Sequence, residues 1–302
     1  MKTLQGIIPP LVTPLKNEYE IDEPGLEMLI EHVITGGVHG LFLLGTTGEG
    51  PSLSIKLKYE MVEKSCKYVG RKLPVLVGIS DTSFAESIRL AEHASECGAD
   101  AVVLAPPYYF PTGQAELLEY LEHLVPKLPL PMFLYNMPLM TKVNIEVETL
   151  KRAAAMNGII GLKDSSGNMI KFHEYIRAMK ERPDFSLLIG PEELMAEAVL
   201  FGGDGGVNGG ANLAPKLFVD LYNAARERKI TEVMRLQDKV FELRRIYSVG
   251  KYASSVIKGV KSALNYMGIC SDFMAEPFHS FRMPEKEEVA KLCLELNLKK
   301  MV

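Results

Sequence analysis

Ile159-Ile160-Gly161-Leu162-Lys163-Asp164-Ser165-Ser166-Gly167 is an apolar, strand-like run that ends on a lysine and breaks into a polar turn. A strand alternates faces, so Ile159, Gly161 and Lys163 are expected on one side and Ile160 and Leu162 on the other. If the first side faces a packed interior, Lys163 is an amine held where charge is costly. Desolvation then lowers its pKa and makes it a nucleophile toward carbonyl carbon, as a Schiff base requires. A lysine at a strand end can equally snorkel to solvent, and the rest of the chain has to choose between the two.

Outward from this stretch, short apolar runs alternate with longer amphipathic ones. Strands are expected at Gly6–Val12, Gly40–Leu44, Pro74–Ile79, Asp100–Ala105, Pro131–Tyr135, Ile159–Lys163, Phe185–Ile189 and Gly205–Val207. Helical patterns lie between them at Glu23–Thr35, Ser54–Val69, Ser83–Cys97, Gln114–Val125, Glu146–Asn157, Met169–Glu181, Glu192–Phe201 and Ala214–Arg228. Several open on Asp, Ser or Asn and close on Gly, as capping chemistry prefers. Strand–helix alternation demands parallel strands, and eight such units in about 225 residues match a closed (β/α)8 TIM barrel better than an open doubly wound sheet. Residues 1–228 are thus read as an α/β barrel domain. Beyond Arg228 the strand runs stop, and Ile230–Val249, Tyr252–Met267 and Pro284–Leu298 read as three helices. No Ser- or Pro-rich linker intervenes, so residues 229–302 are expected to pack on the barrel as an appendage.

The bulk composition excludes several classes. At 302 residues and 47% hydrophobic content the chain can bury a large core. A net charge of −4 gives no electrostatic reason to expect a nucleic acid or membrane partner. Cys66, Cys97, Cys270 and Cys293 have neither disulfide-framework nor zinc spacing, which suits free thiols in a reducing cytoplasm. No signal-peptide pattern or membrane-length apolar run is present. None of the six histidines ends a strand beside carboxylates, so no metal is expected, and no G-x-G-x-x-G follows the first strand.

A barrel collects its chemistry at the C-terminal ends of its strands. Strand two is followed by Gly45-Thr46-Thr47-Gly48-Glu49-Gly50, a turn whose backbone N–H groups and hydroxyls can cradle an anion such as a carboxylate. It can also be a plain turn that uses glycine for positive φ. Strand five ends in Phe133-Leu134-Tyr135-Asn136, and alternation lets Tyr135 share an interior with Lys163, either as a proton carrier or as an aromatic filler. Strand four runs into Pro106-Pro107-Tyr108-Tyr109-Phe110-Pro111, a rigid aromatic loop suited to subunit or lid contacts.

With these pieces placed, the chain resembles the N-acetylneuraminate lyase and dihydrodipicolinate synthase family of Schiff-base-forming barrel enzymes. The resemblance covers Gly6–Pro14, Gly45–Gly50, Pro107-Tyr108-Tyr109, Tyr135-Asn136 with Pro138, Gly161-Leu162-Lys163-Asp164 and Ile257–Gly268. It implies that Lys163 condenses with the ketone of pyruvate or another 2-oxo acid, with no separate cofactor. By the same resemblance Tyr135 shuttles protons, and Thr46, Thr47 and Gly48 hold the carboxylate, Thr46 also linking Tyr135 into a relay. Tyr109 matches the tyrosine that reaches across a subunit contact to a neighbouring relay, and a homotetramer follows.

The branches of the family differ in what the imine reacts with. The synthase branch typically has an arginine two residues after the proline of Tyr-Asn-x-Pro; Met140 stands there, and a thioether cannot replace a bidentate guanidinium. Glu192 and Glu193 match an acidic pair that accepts hydrogen bonds from sugar hydroxyls in the sialic-acid branch, although acids also suit the helix start they occupy. Gly190 and Val207 are expected to line the same cavity. The resulting expectation is a lyase that reversibly cleaves a 2-keto-3-deoxy sugar acid or a sialic-acid-like substrate to pyruvate and an aldehyde. Dihydrodipicolinate synthesis, dehydration of a keto-deoxy acid, or a non-catalytic 2-oxo-acid-binding barrel are the alternatives.

Overall fold

The computed structural model describes residues 3–300. Eight parallel strands form the central sheet: β1 Gly6–Ile7, β2 Leu41–Leu43, β3 Val75–Gly78, β4 Ala101–Leu104, β5 Met132–Asn136, β6 Ile159–Asp164, β7 Ser186–Ile189 and β8 Gly205–Gly206. Their order is β1-β8-β7-β6-β5-β4-β3-β2. The ring closes beyond β1, where Pro10 bridges Phe42 in parallel. There Phe42 N–H donates to the Pro9 carbonyl at 3.0 Å, and Leu11 N–H donates to the Phe42 carbonyl at 2.9 Å. The eight-stranded barrel expected from the sequence is therefore present, although β1 and β8 are only two residues long as regular strand.

Helices follow the strands: α1 Glu23–Thr35, α2 Ile55–Val69, α3 Phe84–Glu96, α4 Gln114–Leu124, α5 Val147–Ala154, α6 Met169–Ala178, α7 Met195–Leu200 and α8 Pro215–Arg226. Side chains of Ser54, Ser83 and Asn168 accept from Leu57, Glu86 and Lys171 amides at the starts of α2, α3 and α6. Each such cap is worth about 1 kcal/mol. Gly70 ends α2 in the left-handed conformation. The appendage comprises α9 Ile230–Leu243, a 3-10 turn Arg244–Ser248, α10 Ser255–Tyr266 and α11 Met283–Glu295.

Two apolar layers result from strand alternation. Ile8, Phe42, Leu76, Val103, Phe133 and Leu188 fill the barrel interior. The opposite strand faces pack under the helices in one continuous layer that extends into the appendage through Val240, Ile246, Val260 and Leu264. No helix among the described residues is long and apolar enough to cross a membrane.

Alternation fails at one point of the opening stretch. Met132 pairs with Ile159 but Phe133 pairs with Gly161, so β6 carries an extra residue against β5. Ile159 consequently joins the outer layer with Met132, while Ile160 packs against the interior cluster. This corrects the expected shared face of Ile159 and Lys163; Gly161 and Lys163 keep theirs. The antiparallel pair Leu15–Asn17 with Glu20–Ile21 and the short helix Pro138–Thr141 lie in segments without periodicity.

Candidate active site

Lys163 and Tyr135 are register partners at the C-terminal ends of β6 and β5. Both are almost wholly buried, at 5% and 6% exposure. The Lys163 amine lies 4.0 Å from the centre of the Tyr135 ring and 4.7 Å from that of Phe42. Gly161, two residues earlier, leaves room for the Phe133 ring, since a Cβ there would sit 2.2 Å from it. The lysine thus stands on a floor of aromatic rings rather than reaching solvent.

Burial pushes the Lys163 ammonium below its usual range, with the phenol of Tyr135 opposing. Burial alone would raise the Tyr135 phenol, but the Lys163 charge and the Thr46 and Ser165 hydroxyls outweigh it and bring it below the ordinary tyrosine value. Each group is thereby moved toward giving its proton to the other side of a reaction. The Tyr135 hydroxyl lies 3.5 Å from Thr46 Oγ1.

Asn136 and Asp164, on the opposite strand faces, hold the two strand ends together. Asn136 Nδ2 donates to Asp164 Oδ1 at 2.7 Å and to Asn144 Oδ1 at 3.0 Å, and its Oδ1 accepts from Ile145 N–H at 3.0 Å. Ser166 Oγ donates to Asp164 Oδ2 at 2.9 Å. This network outside the barrel fixes the two strand ends that present the reactive pair inside it.

The turn after β2 closes through Glu49 N–H to the Thr46 carbonyl and Gly50 N–H to the Gly45 carbonyl. A Cβ at Gly48 would lie 2.7 Å from the Leu11 carbonyl, so only glycine permits the approach of the β1 segment. Thr13 Oγ1 donates to the Gly48 carbonyl at 2.6 Å. Among the described residues, the amides of Thr46, Thr47 and Gly48 donate to no protein acceptor. Three free donors beside two half-buried hydroxyls, next to a buried amine, can take a carboxylate while the amine takes the adjacent carbonyl carbon.

The remaining expected residues divide. Val207 is buried in the interior cluster, and Gly190 lies against the Ser165 hydroxyl. Met140 is half exposed on the Pro138–Thr141 turn. Tyr109 is 74% exposed and stacks edge-on with Phe110. Glu192 is buried, and its Oε2 accepts from Gly210 N–H at 2.8 Å. Burial pushes its carboxyl up to about 7, opposed by the Gly210 amide and by Tyr247, whose hydroxyl approaches without a well-formed hydrogen bond. Glu193 pairs with Arg244 of the appendage at 2.5 Å. Glu192 through Oε2 and Glu193 through Arg244 thus tie protein segments together, while Glu192 Oε1 is buried without a hydrogen-bond partner among the described residues. Ser165 is a site residue without an expected role; its position two residues after Lys163 places it on the same face.

A parallel barrel with a desolvated amine, a phenol and a turn of unpaired amides at its strand ends is an enzyme of the aldolase and lyase class. The chain belongs to the dihydrodipicolinate synthetase family, whose model matches residues 3–296. It is similar to the dihydrodipicolinate synthase structure from the commensal bacterium Bacteroides thetaiotaomicron, with 56% identity, a TM-score of 0.96, and 98% of this chain and 99% of that chain covered. YagE, an Escherichia coli K12 prophage protein of the dihydrodipicolinic acid synthase family solved in complex with pyruvate, is 29% identical with a TM-score of 0.91, covering 97% and 99%. An E. coli K12 protein named a probable 2-dehydro-3-deoxy-D-pentonate aldolase is 33% identical over 260 residues, covering 85% of this chain and 86% of its own.

Proposed function

We propose that the protein is a pyruvate-dependent aldolase that reversibly cleaves a 2-keto-3-deoxy sugar acid or a sialic-acid-like substrate to pyruvate and an aldehyde. The observation that carries this reading is the buried Lys163 amine over the Tyr135 ring, with the Tyr135 hydroxyl beside Thr46. The N–H groups of Thr46, Thr47 and Gly48 bind the substrate carboxylate. Neutral Lys163 adds to the C2 ketone, and Tyr135 protonates the departing oxygen so that water leaves and a protonated imine forms. Tyr135, now a phenolate, takes the proton of the C4 hydroxyl. The C3–C4 bond breaks, the aldehyde leaves, and the bonding electrons pass into the imine to give an enamine. Protonation at C3 and hydrolysis release pyruvate and the free lysine. The imine is the electron sink, so the chemistry calls for no cofactor or metal.

On this reading Val207, Gly190 and Met140 are assigned to the aldehyde half, and Glu192 and Glu193 act there through the segments they hold. The exposed Tyr109–Phe110 pair supports a homotetramer in which Tyr109 enters a neighbouring site. Borohydride reduction in the presence of pyruvate should attach one reduced pyruvate to the peptide containing Lys163; an unmodified Lys163 would refute the imine. Pyruvate release from a panel of 2-keto-3-deoxy acids and sialic acids then identifies the substrate.

A second reading, dihydrodipicolinate synthesis, is favoured by the 56% identity to the Bacteroides thetaiotaomicron structure of that name. Met140 in place of a guanidinium speaks against it. Condensation of pyruvate with aspartate semialdehyde at an ordinary enzymatic rate would decide for it.

A further inference from the structure

Lys261, on α10 of the appendage, is fully buried. Its Nζ lies 2.5 Å from Glu49 Oε1 and donates to the Phe273 carbonyl at 2.6 Å. Glu49 Oε2 accepts from Ala275 N–H at 2.8 Å. Both carboxylate oxygens of Glu49 therefore end on the appendage. Glu49 itself closes the anion-binding turn, donating its N–H to the Thr46 carbonyl at 3.1 Å from a left-handed conformation, φ 56°. A non-glycine residue holds that conformation at a cost, so something must keep it there.

Simple adhesion does not explain such a pair. Two charges taken from water are replaceable by apolar residues of similar volume with no loss of stability, and the neighbouring layer of Val260, Ala263 and Leu264 already supplies apolar contact. What a charged tie through both carboxylate oxygens supplies in addition is direction: it fixes where the Glu49 backbone sits. That backbone is the downstream half of the turn whose upstream amides are free. Thr13 anchors the same turn from the β1 side through the Gly48 carbonyl. The turn is thus held from both flanks, once by the barrel and once by the appendage.

We propose that Glu49 and Lys261 are positioning residues of the 2-oxo-acid site, through which the appendage holds the Thr46–Gly48 turn in its carboxylate-binding form. The proposal rests on the reading of that turn as the pyruvate carboxylate cradle. It makes pyruvate binding and the docking of residues 261–275 reciprocal, since a coupling between two events acts equally in both directions.

The test replaces both charges at once, Lys261→Met with Glu49→Gln, so that no lone charge is left buried. The folded double variant should show a pyruvate KM raised about tenfold or more, with kcat at saturating pyruvate within about threefold of the parent. An unchanged KM in a variant with native circular dichroism overturns the proposal. Hydrogen exchange on the unaltered protein gives a reading that needs no variant. Saturating pyruvate should slow exchange in the peptide that contains Ala275, and no change there overturns the coupling. Borohydride trapping at Lys163 in the unaltered protein separates the two claims. Trapping without coupling sinks only the positioning role, and no trapping sinks the functional reading together with it.

Discussion

Tyr135 and Lys163 face each other across the β5–β6 pair in exact register, and the amine lies 4.0 Å over the phenol ring. A backbone ladder, rather than a flexible loop, sets their separation. Lys163→Ala should leave the barrel folded, abolish the borohydride adduct and lower kcat/KM by about 10⁴-fold or more. Mass spectrometry and steady-state assays check both halves.

Tyr135→Phe keeps the aromatic floor and removes only the hydroxyl. Loss of a positioned proton carrier costs about 10²–10⁴-fold in rate. The decrease should fall on kcat, with the adduct still forming slowly at Lys163. A variant turning over at the parental rate would remove Tyr135 from the mechanism.

Imine formation needs the neutral amine, and burial lowers the Lys163 pKa from 10.5. The rate of pyruvate trapping should therefore rise with pH and level off well before the ordinary lysine range. An inflection near the ordinary value would mean that the amine is solvated.

Glu192 supplies a stability signature of the same origin, burial, acting in the opposite direction. Its carboxyl is raised from 4.5 to about 7 in the fold, so between these values the native state binds the proton more tightly than the unfolded chain. Its contribution is fully present below pH 4.5 and is lost as pH rises through about 7. The difference is on the order of 3 kcal/mol. Melting temperatures of Glu192→Gln across this window should lack the decline that the parent shows.

Tyr109 and Phe110 leave two aromatic rings largely in solvent on one chain. Sedimentation should find a tetramer. Tyr109→Phe should remain assembled while kcat falls by up to about 10²-fold, as for a proton carrier supplied across a contact.

Much of this was legible in the sequence because barrel strands repeat a simple pattern. The faces of Lys163 and Tyr135 follow from period two, and the helix starts follow from Ser54, Ser83 and Asn168. The extra residue at Ile159–Ile160 was not legible, since a bulge depends on the partner strand and both residues are isoleucine. Glu192 and Glu193 read equally as acceptors for sugar hydroxyls and as acids at a helix start. Their partners, Gly210 and Arg244, are remote in sequence, and nothing local announces such ties. Lys261 carried a faint signal, a charge set among Val260, Ala263 and Leu264 on an apolar helix face. Its partner Glu49 lies 212 residues away.

The seam of the barrel carries a consequence for biogenesis. Gly6 pairs with Gly205, and Pro10 bridges Phe42, the same ring that forms part of the floor under Lys163. The first strand of the barrel thus has one neighbour soon and waits for the other until the last strand, β8, is made. Ring closure is a long-range event, and such pairings form late. Phe42 belongs to both the seam and the floor under Lys163, so pyruvate trapping should first appear during synthesis when the barrel closes.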